Sequence, residues 1–488
     1  MSGTTGIELT SRTGRGIVIA AVLGSGMAVL DGTVVNVALV RIGQDLGATL
    51  ADLQWVTNGY LLTLASLILL GGSLGDRFGR RRVFVIGVIG FALTSVLCGV
   101  AQTPGQLIVA RVLQGVAGAL LTPGSLSMIE ATIRRDDRAR AIGSWSGLGG
   151  IASAIGPFVG GWLVQYASWR WAFFLNIPLA IATVLLAVRT VPETRDEQAS
   201  HHFDILGAVL ATSALALTTF ALIQHESLGP ALTTVLVVAG LLVGVGFVLV
   251  ERSARSPMVQ PSLFTERQFT AANLMTLVTY GALGAVLFFL SLQLQTVVGY
   301  GPLVSGVATL PITALMLLFA ARGGELGSRI GPRLPMTVGP LVCAVGVALL
   351  AYVGAGSSYA LGILPGLVFF GAGLCLLVAP LTATVLAAAP DRFAGAASGV
   401  NNAVARAGSL LAVAALPAAV GLSGEAYRDP VALSAAYGKS MWVCAVLLFL
   451  GGVLSFTLIR NTAANAPQAD LRAAEPEGPD PSFPHPPP

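Results

Sequence analysis

Charge is the scarcest property of this sequence. Of its 488 residues only 10% are Asp, Glu, Lys or Arg, whereas 55% are hydrophobic. A soluble domain usually has about 25% charged residues, which cover its surface. The low charge therefore excludes an ordinary soluble protein and indicates a polytopic membrane protein.

Cysteine, histidine and lysine are also rare. The four cysteines lie inside apolar runs without Cys-x-x-Cys spacing or a histidine partner, which favours small buried side chains (Cys98, Cys343, Cys375 and Cys444). The pair His201-His202 has no further metal ligand nearby. No nucleophile, histidine and acid converge in the sequence, so we expect neither an enzyme nor a metal site. Lysine occurs once and arginine 26 times, which hints at a GC-rich bacterial genome.

Long apolar runs dominate the rest of the chain. A bilayer core takes about 20 apolar residues per helix, and fourteen runs of this kind are present. The predicted fold class is therefore an all-α membrane protein with 14 transmembrane helices. The runs lie near 16–40, 54–75, 82–101, 105–129, 140–165, 169–190, 204–224, 230–250, 269–297, 303–322, 333–354, 357–388, 394–423 and 438–460.

Basic residues are distributed unevenly over the loops between these runs. With the N-terminus inside, 21 of the 27 lysines and arginines fall on cytoplasmic segments and four on external ones, while Arg111 and Arg406 fall inside spans. Because basic residues accumulate on the cytoplasmic side, we expect both termini there. The basic residues stand singly or in short clusters, so they indicate topology rather than nucleic-acid binding.

One segment of the chain occurs twice. Residues 71–79 (GGSLGDRFG) recur 252 residues later as 323–331 (GGELGSRIG), with six of nine positions identical. The same offset superposes the second to fifth spans on the tenth to thirteenth. We therefore predict two six-helix halves, 16–190 and 268–460, and a linker, 191–267, that contains two extra helices. The tails are a cytoplasmic segment, 1–15, and a proline-rich segment, 461–488, that we expect to be disordered.

Four segments carry a resemblance to a known family. They are 30–39 (LDGTVVNVAL) in the first span, the loop 72–82, 111–115 (RVLQG) in the fourth span and 156–161 (GPFVGG) in the fifth. In this order on fourteen spans, they resemble the major facilitator superfamily, specifically its fourteen-helix drug:proton antiporters of the multidrug efflux type. The resemblance covers 16–460. It implies the major facilitator fold, with transport driven by the proton gradient and no cofactor.

Asp31 is the only acidic residue well inside a predicted span, so its carboxylate is costly unless protonated or paired. The alternative is an acid near the outer surface. Arg111 could favour the ionised form of Asp31, or it could snorkel toward the headgroups. The resemblance implies that these two residues couple transport to protons. Asp31 is also a candidate substrate-binding residue, together with Gln114 at i+3 from Arg111. The equivalent positions in the second half hold Leu283 and Ile363, which confines this machinery to the first half.

The loop between the second and third spans combines tight-turn glycines with one acid and four arginines. A negative charge is favoured at a helix N-terminus, so Asp76 could contact a helix of the other half. The resemblance implies a conformational latch; simple anchoring by positive charge is the alternative. Ser328 replaces Asp76 in the second copy, so we predict no symmetrical latch. The candidate latch residues are Gly75, Asp76, Arg77, Gly79, Arg80 and Glu130.

The fifth span carries small residues at four-residue spacing, which favours close helix packing, and a proline that is expected to kink it. The resemblance implies an antiport motif made of Gly156, Pro157, Gly160 and Gly161. The association of this motif with antiport is what supports export over uptake. Packing alone is the alternative interpretation.

Arg406 lies near the middle of the thirteenth span, one turn after Asn402, without an acid in the membrane to pair with. Both are candidate substrate-binding residues. Two cations against one acid weaken the case for lipophilic cations as substrates and leave anionic or zwitterionic amphiphiles open. Hydrogen bonding of Arg406 to backbone carbonyls is the structural alternative.

These patterns together predict a proton-coupled secondary transporter that exports amphipathic drugs or other small molecules by alternating access. Its expected partners are that small molecule, protons and the lipid bilayer, with no nucleic acid. We expect a monomer in the bacterial cell membrane. The alternatives are a proton-coupled uptake carrier, and a transporter-like sensor or lipid-handling protein that exports no drug.

Overall fold

The computed structural model describes residues 6–196, 204–254, 257–390 and 393–461. The His201-His202 pair and the predicted tail beyond residue 461 lie outside this part of the chain. Within it, fourteen helices are long and apolar enough to cross a membrane, which confirms the predicted number. In chain order, α1 to α14 are Arg12–Leu46, Leu50–Phe78, Arg80–Val100, Pro104–Thr132, Arg135–Tyr166, Trp171–Thr190, Ile205–Ile223, His225–Ser253, Arg267–Val297, Pro302–Ile330, Arg333–Leu350, Tyr359–Ala387, Gly395–Val420 and Pro430–Leu458.

Several helices extend beyond the apolar runs that predicted them. The first run covered 16–40, but α1 contains 35 residues. The side chain of Ser11 caps its first turn by accepting a hydrogen bond from the Gly14 N–H, and Gly47 ends it in a left-handed conformation with φ 63°. At 1.5 Å per residue such a helix is about 52 Å long, whereas the hydrocarbon core is about 30 Å thick. The polar ends of α1 therefore project from the membrane.

The helices pack as two groups that the 252-residue repeat relates. Helices α1 to α6 contact mainly one another, and so do α9 to α14. Between the groups, α2 packs against α13 and α5 packs against α10. The repeat maps α2 onto α10 and α5 onto α13, so each of these contacts is the counterpart of the other. This is the arrangement that parallel halves around an axis along the membrane normal produce. The domain limits stay a prediction.

The two extra helices, α7 and α8, form a pair at the edge of the bundle. They pack against each other, and α7 also contacts α2 and α13. Long aliphatic side chains of α8 are exposed along most of its length, as in Val235, Leu241, Leu242 and Val245. Such a surface suits lipid rather than water. The pair therefore lies beside the contact of α2 with α13.

Hydrogen bonds between the halves concentrate at one end of the bundle. The Gln54 side chain on α2 donates to the carbonyls of Val413 and Ala414 on α13, at 2.7 and 3.2 Å. On α9, the hydroxyl of Ser291 donates to the carbonyl of Asn36 at 2.7 Å. The largest hydrophobic cluster also joins both halves at this end. This is the predicted outer end, so the conformation is closed toward the outside.

Candidate functional site

The carboxylate of Asp31 is enclosed by side chains from other helices of the first half. Asp31 is 1% exposed. Arg111 Nη1 lies 2.5 Å from its Oδ2 atom. Its Oδ1 atom accepts hydrogen bonds from Gln114 Nε2 at 2.9 Å and from Asn176 Nδ2 at 3.0 Å. The structure thus brings Asp31, Arg111 and Gln114 together, as the sequence suggested, and adds a donor from α6.

Arg111 is held from three directions inside the bundle. Besides contacting Asp31, its Nε donates to the Val56 carbonyl on α2 at 2.9 Å, and Nη1 donates to Gln114 Oε1 at 2.6 Å. The guanidinium carbon lies 4.4 Å from the centre of the Tyr60 ring, which is a cation–π distance. Arg111 is 1% exposed. Its charge therefore points into the first half rather than toward the headgroups.

Sequence reasoning missed two residues of this cluster. Ser95 on α3 accepts hydrogen bonds from Gln114 at 2.9 Å and from Asn176 at 3.2 Å. Asn176 lies near the start of α6. As an amide inside an apolar run, Asn176 could have been noticed in the sequence. Ser95 carries no comparable signal, because a serine in a helix satisfies itself on its own backbone, here the Phe91 carbonyl at 2.7 Å.

The hydrogen bonds around Asp31 define which protonation state this conformation suits. An ionised carboxylate is an acceptor only, and all three neighbours of Asp31 donate to it. A protonated Asp31 would direct an O–H group at these donors, so Arg111 or the amides would have to move. A buried pair that loses one charge leaves the other uncompensated. Protonation of Asp31 would therefore change the hydrogen bonds that join α1, α4 and α6.

A cavity of about 280 Å³ lies between the two halves. Its described lining contains hydroxyl, amide and apolar side chains but no charged one. Asp31 and Gln114 do not line it; on α1 the lining side chains include Thr33 and Asn36, and Leu283 lines it at the position equivalent to Asp31. The lining residues are Thr33, Asn36, Val37, Gly150, Ser153, Pro157, Tyr280, Leu283, Leu287, Ser291, Ser305, Thr309, Ile312, Thr313, Met316, Leu374 and Val378.

The candidate latch residues lie at the end of α2 and the start of α3. In this conformation Asp76 Oδ1 forms an ion pair with Arg80 Nη2 at 2.8 Å, one turn along the chain. The φ of Gly79 is 109°, a value that favours glycine between two helices. Glu130 is partly buried and interacts electrostatically with Arg80 and Arg138. The carboxylate of Asp76 thus pairs within its own loop, on the side that faces away from the closed end.

The glycines of the fifth span pack against two different helices. Gly156 lies against Thr33 and Gly160 against Val34, both on α1. A Cβ atom at Gly161 would lie 2.7 Å from the Cα of Leu303 on α10. The small residues at four-residue spacing therefore join α5 to α1, whereas Gly161, the last glycine of the candidate motif, belongs to the closed contact between the halves. The candidate Pro157 is inside α5 and lines the cavity.

Arg406 and Asn402 lie on α13, apart from the Asp31 cluster. The Nε atom of Arg406 is buried without a hydrogen-bond partner, and no carboxylate of the described residues forms an ion pair with it. Asn402 lines a smaller cavity of about 110 Å³. The structural alternative for Arg406, hydrogen bonding to carbonyls, does not occur among the described residues.

The described part of the chain contains neither a cluster of metal ligands nor bonded cysteines. Within it, no three His, Cys, Asp or Glu side chains stand close enough to hold a metal ion. Its four cysteines are buried and unbonded to one another. The groups that the site offers are one buried carboxylate with its donors, one unpaired cation and an apolar cavity.

Two related six-helix groups, closed at one end around a central cavity and a buried ion pair, define a secondary transporter fold. A family model described as Major Facilitator Superfamily matches residues 21–413. The chain therefore belongs to the major facilitator superfamily.

Several curated relatives match most of the chain. The tetracenomycin C resistance and export protein of Streptomyces glaucescens is 37% identical and covers 82% of this chain and 74% of its own. The puromycin resistance protein of Streptomyces alboniger is 33% identical, with 95% and 94% covered. The methylenomycin A resistance protein of Bacillus subtilis is 34% identical, with 91% and 95% covered. With its fourteen helices and bacterial relatives, the chain is a multi-pass bacterial membrane protein.

Solved structures share the fold at low sequence identity. The xylose transporter XylE from E. coli, in an inward open conformation, has a TM-score of 0.64 at 15% identity and covers 94% of this chain and 98% of that one. A transporter of the POT family has a TM-score of 0.70 at 13% identity, with 93% and 99% covered. At these identities the likeness concerns the fold alone.

Proposed function

We propose that this protein exports amphipathic small molecules across the bacterial cell membrane in exchange for protons. The names of its relatives support export, since one is a resistance and export protein for tetracenomycin C and two are resistance proteins for puromycin and methylenomycin A. The observation that carries proton coupling is the buried contact of Arg111 with Asp31. We assign no enzymatic activity, no cofactor and a monomeric state.

In the proposed cycle, Asp31 takes up a proton when the outer end is open and releases it when the inner end is open. In the conformation described, the carboxylate has three donors, which suits the state after proton release. Substrate would then load from the inner side into the cavity between the halves. Re-protonation would weaken the contact with Arg111 and favour the opposite conformation.

The separation of the two sites makes the coupling indirect. Asp31 lies inside the first half, whereas the cavity lies between the halves and Thr33 of the same helix faces it. Proton and substrate therefore need not share a side chain. Both sites include residues of α1. Occupancy of one site therefore changes the free energy of the conformation that the other site prefers.

The proton gradient supplies enough free energy for export. A proton-motive force of about 150 mV corresponds to roughly 3.5 kcal/mol per charge moved. Since about 1.4 kcal/mol corresponds to a tenfold ratio, one proton sustains a gradient of over a hundredfold for one neutral substrate.

Proton movement in inside-out vesicles tests this proposal. A pH-sensitive dye reports the loss of a preformed gradient while cationic, zwitterionic and anionic amphiphiles are added in turn. We expect release by the wild type and by the control Glu226→Gln, whose acid is exposed on α8, but not by Asp31→Asn. If no compound moves protons while the purified protein still binds some of them, the exporter proposal fails in favour of a sensor or lipid-handling protein.

The direction of coupling separates export from uptake. An antiporter releases protons from the vesicle lumen as substrate enters it, so substrate accumulates only when the lumen is acidic. An uptake carrier would move substrate and proton together, and an acidic lumen would drive substrate out. Substrate accumulation in acidified inside-out vesicles supports antiport, whereas its depletion favours the uptake carrier.

A further inference from the structure

An unpaired cation lies close to the contact between the halves. Arg406 is on α13, which packs against both α2 and α9. It lies within electrostatic range of Tyr60 on α2 and Tyr280 on α9, and its buried Nε has no hydrogen-bond partner. Arg111, the other cation in the membrane, is instead neutralised by Asp31. A partly buried guanidinium without an anion is costly unless an anion arrives from elsewhere.

Two cavities share one wall residue on α9, and the α13 residues next to Arg406 line one of them, although Arg406 itself lines neither. Tyr280 lines both the central cavity and the smaller one of about 110 Å³. Asn402 and Ala405 of α13 line the smaller cavity, and Arg406 follows Asn402 by one helical turn, on the same face. The smaller cavity is polar compared with the central one, because its lining includes Thr382, Ser398, Asn401 and Asn402.

The combined shape has an apolar body and a polar end beside a positive charge. Guanidinium groups bind carboxylates through paired hydrogen bonds in a fixed planar geometry. We propose that Arg406 binds the acidic group, a carboxylate or an ionised phenol, of an amphiphile whose apolar part occupies the central cavity. This inference rests on the proposed transport function and names the class of its substrate.

A cationic substrate would find no equivalent partner in this conformation. Three donors already satisfy the carboxylate of Asp31, whereas the Nε atom of Arg406 has no partner. Neither described lining contains an acidic side chain. Tyr60 also links the two sites, since its ring lies on the Arg111 guanidinium at 4.4 Å.

Binding of three matched probes tests the inference separately from transport. The probes share one apolar body: pyrenebutanoate, its neutral primary amide and the corresponding pyrenylbutylammonium. Equilibrium binding is measured on the purified full-length protein in nanodiscs, against empty nanodiscs. We expect pyrenebutanoate to bind at least about tenfold more tightly than the amide, as charged hydrogen bonds allow. Arg406→Gln should abolish this preference, and Arg406→Lys should retain part of it. The control Arg41→Gln, at an exposed arginine on α1, should leave it unchanged.

The outcomes separate the two proposals. Equal binding of the three probes, no binding of any, or a preference that survives in Arg406→Gln overturns the acidic substrate class. If Arg406→Gln does not fold, Arg406→Lys decides, because an unchanged preference in a variant without the planar fork would contradict the paired geometry. A preference that depends on Arg406 supports the inference. If the same probes then cause no proton release in vesicles, the proposal of proton-coupled export fails and the inference about Arg406 remains.

Discussion

Asn176 Nδ2 lies 3.0 Å from Asp31 Oδ1, although 145 residues separate the two in the chain. The same amide also donates to Ser95 on α3 at 3.2 Å. The Asn176 side chain thus joins three helices of the first half, namely α1, α3 and α6. Because Asn176 lies near the start of α6, a movement of this end of α6 would change the surroundings of the carboxylate.

Replacing Asn176 tests whether this amide supports coupling. Asn176→Leu removes one donor from a charged acceptor, a loss of about 1.5–3 kcal/mol. We expect a lower free energy of unfolding in mixed micelles and reduced substrate-dependent proton release. Thr183→Ala, further along α6, is the matched control, because Thr183 donates only to its own helix at the Leu179 carbonyl. Equal behaviour of the two variants would show that Asn176 only packs.

The Asp31–Arg111 pair predicts a non-additive response to neutralisation. Asp31→Asn leaves the Arg111 charge buried without its counter-charge, which costs about 3–5 kcal/mol. The double variant Asp31→Asn with Arg111→Gln removes both charges, so much of the lost stability should return while proton release stays absent. Thermal unfolding of the purified variants measures the first effect and the vesicle assay the second. Additive losses of stability would mean that the two charges do not interact.

Much of the fold could be predicted because the bilayer imposes one pattern on every span. Runs of about 20 apolar residues identified all fourteen helices, and the repeat at residues 71–79 and 323–331 indicated the paired contacts. The ends of α1 were misjudged, since its capping residues Ser11 and Gly47 lie outside the apolar run. Hydropathy identifies the part of a helix that crosses the membrane, but it does not identify the residues at which the helix begins and ends.

The sequence predicted site residues only where a charged side chain lies inside an apolar span. Asp31 and Arg111 were noticed because charge is costly in a membrane. The cavity was not predicted, because Thr33, Leu283 and Met316 are ordinary residues of a span and only the packing of five helices makes them neighbours. That Asp31 does not line this cavity also depends on which face of α1 packs inward, and the sequence of one helix does not state this.

The latch interpretation predicts an effect on rate rather than on stability. The Asp76–Arg80 pair is partly exposed, with side chains 40% and 20% accessible, and such pairs contribute about 0–1 kcal/mol. Asp76→Asn should therefore barely change unfolding but should slow transport several-fold, since the acid is needed in the opposite conformation. The second copy offers a matched control in Glu325→Gln, which removes the exposed Glu325–Arg329 pair. Similar rates for the two variants would favour simple anchoring by positive charge.

The closed outer end depends on a glycine that has no room for a side chain. A Cβ atom at Gly161 would lie 2.7 Å from both the Leu303 Cα and the Pro302 carbonyl oxygen on α10. Gly161→Ala should therefore penalise this conformation by about 1–3 kcal/mol, the usual cost of overpacking, and shift molecules toward the outward-open one. At about 1.4 kcal/mol per tenfold, the ratio of the two conformations changes by roughly 5- to 150-fold.

Labelling from outside measures this shift. A cysteine introduced as Ser305→Cys, in the cavity lining and 2% exposed, reacts with a membrane-impermeant maleimide only when the outer end opens. The four native cysteines are buried, so they add little background. We expect faster labelling with Gly161→Ala than with Gly149→Ala, a control on the same helix where a Cβ atom meets nothing within 4 Å. Equal labelling rates would mean that the contact between α5 and α10 does not hold the outer end closed.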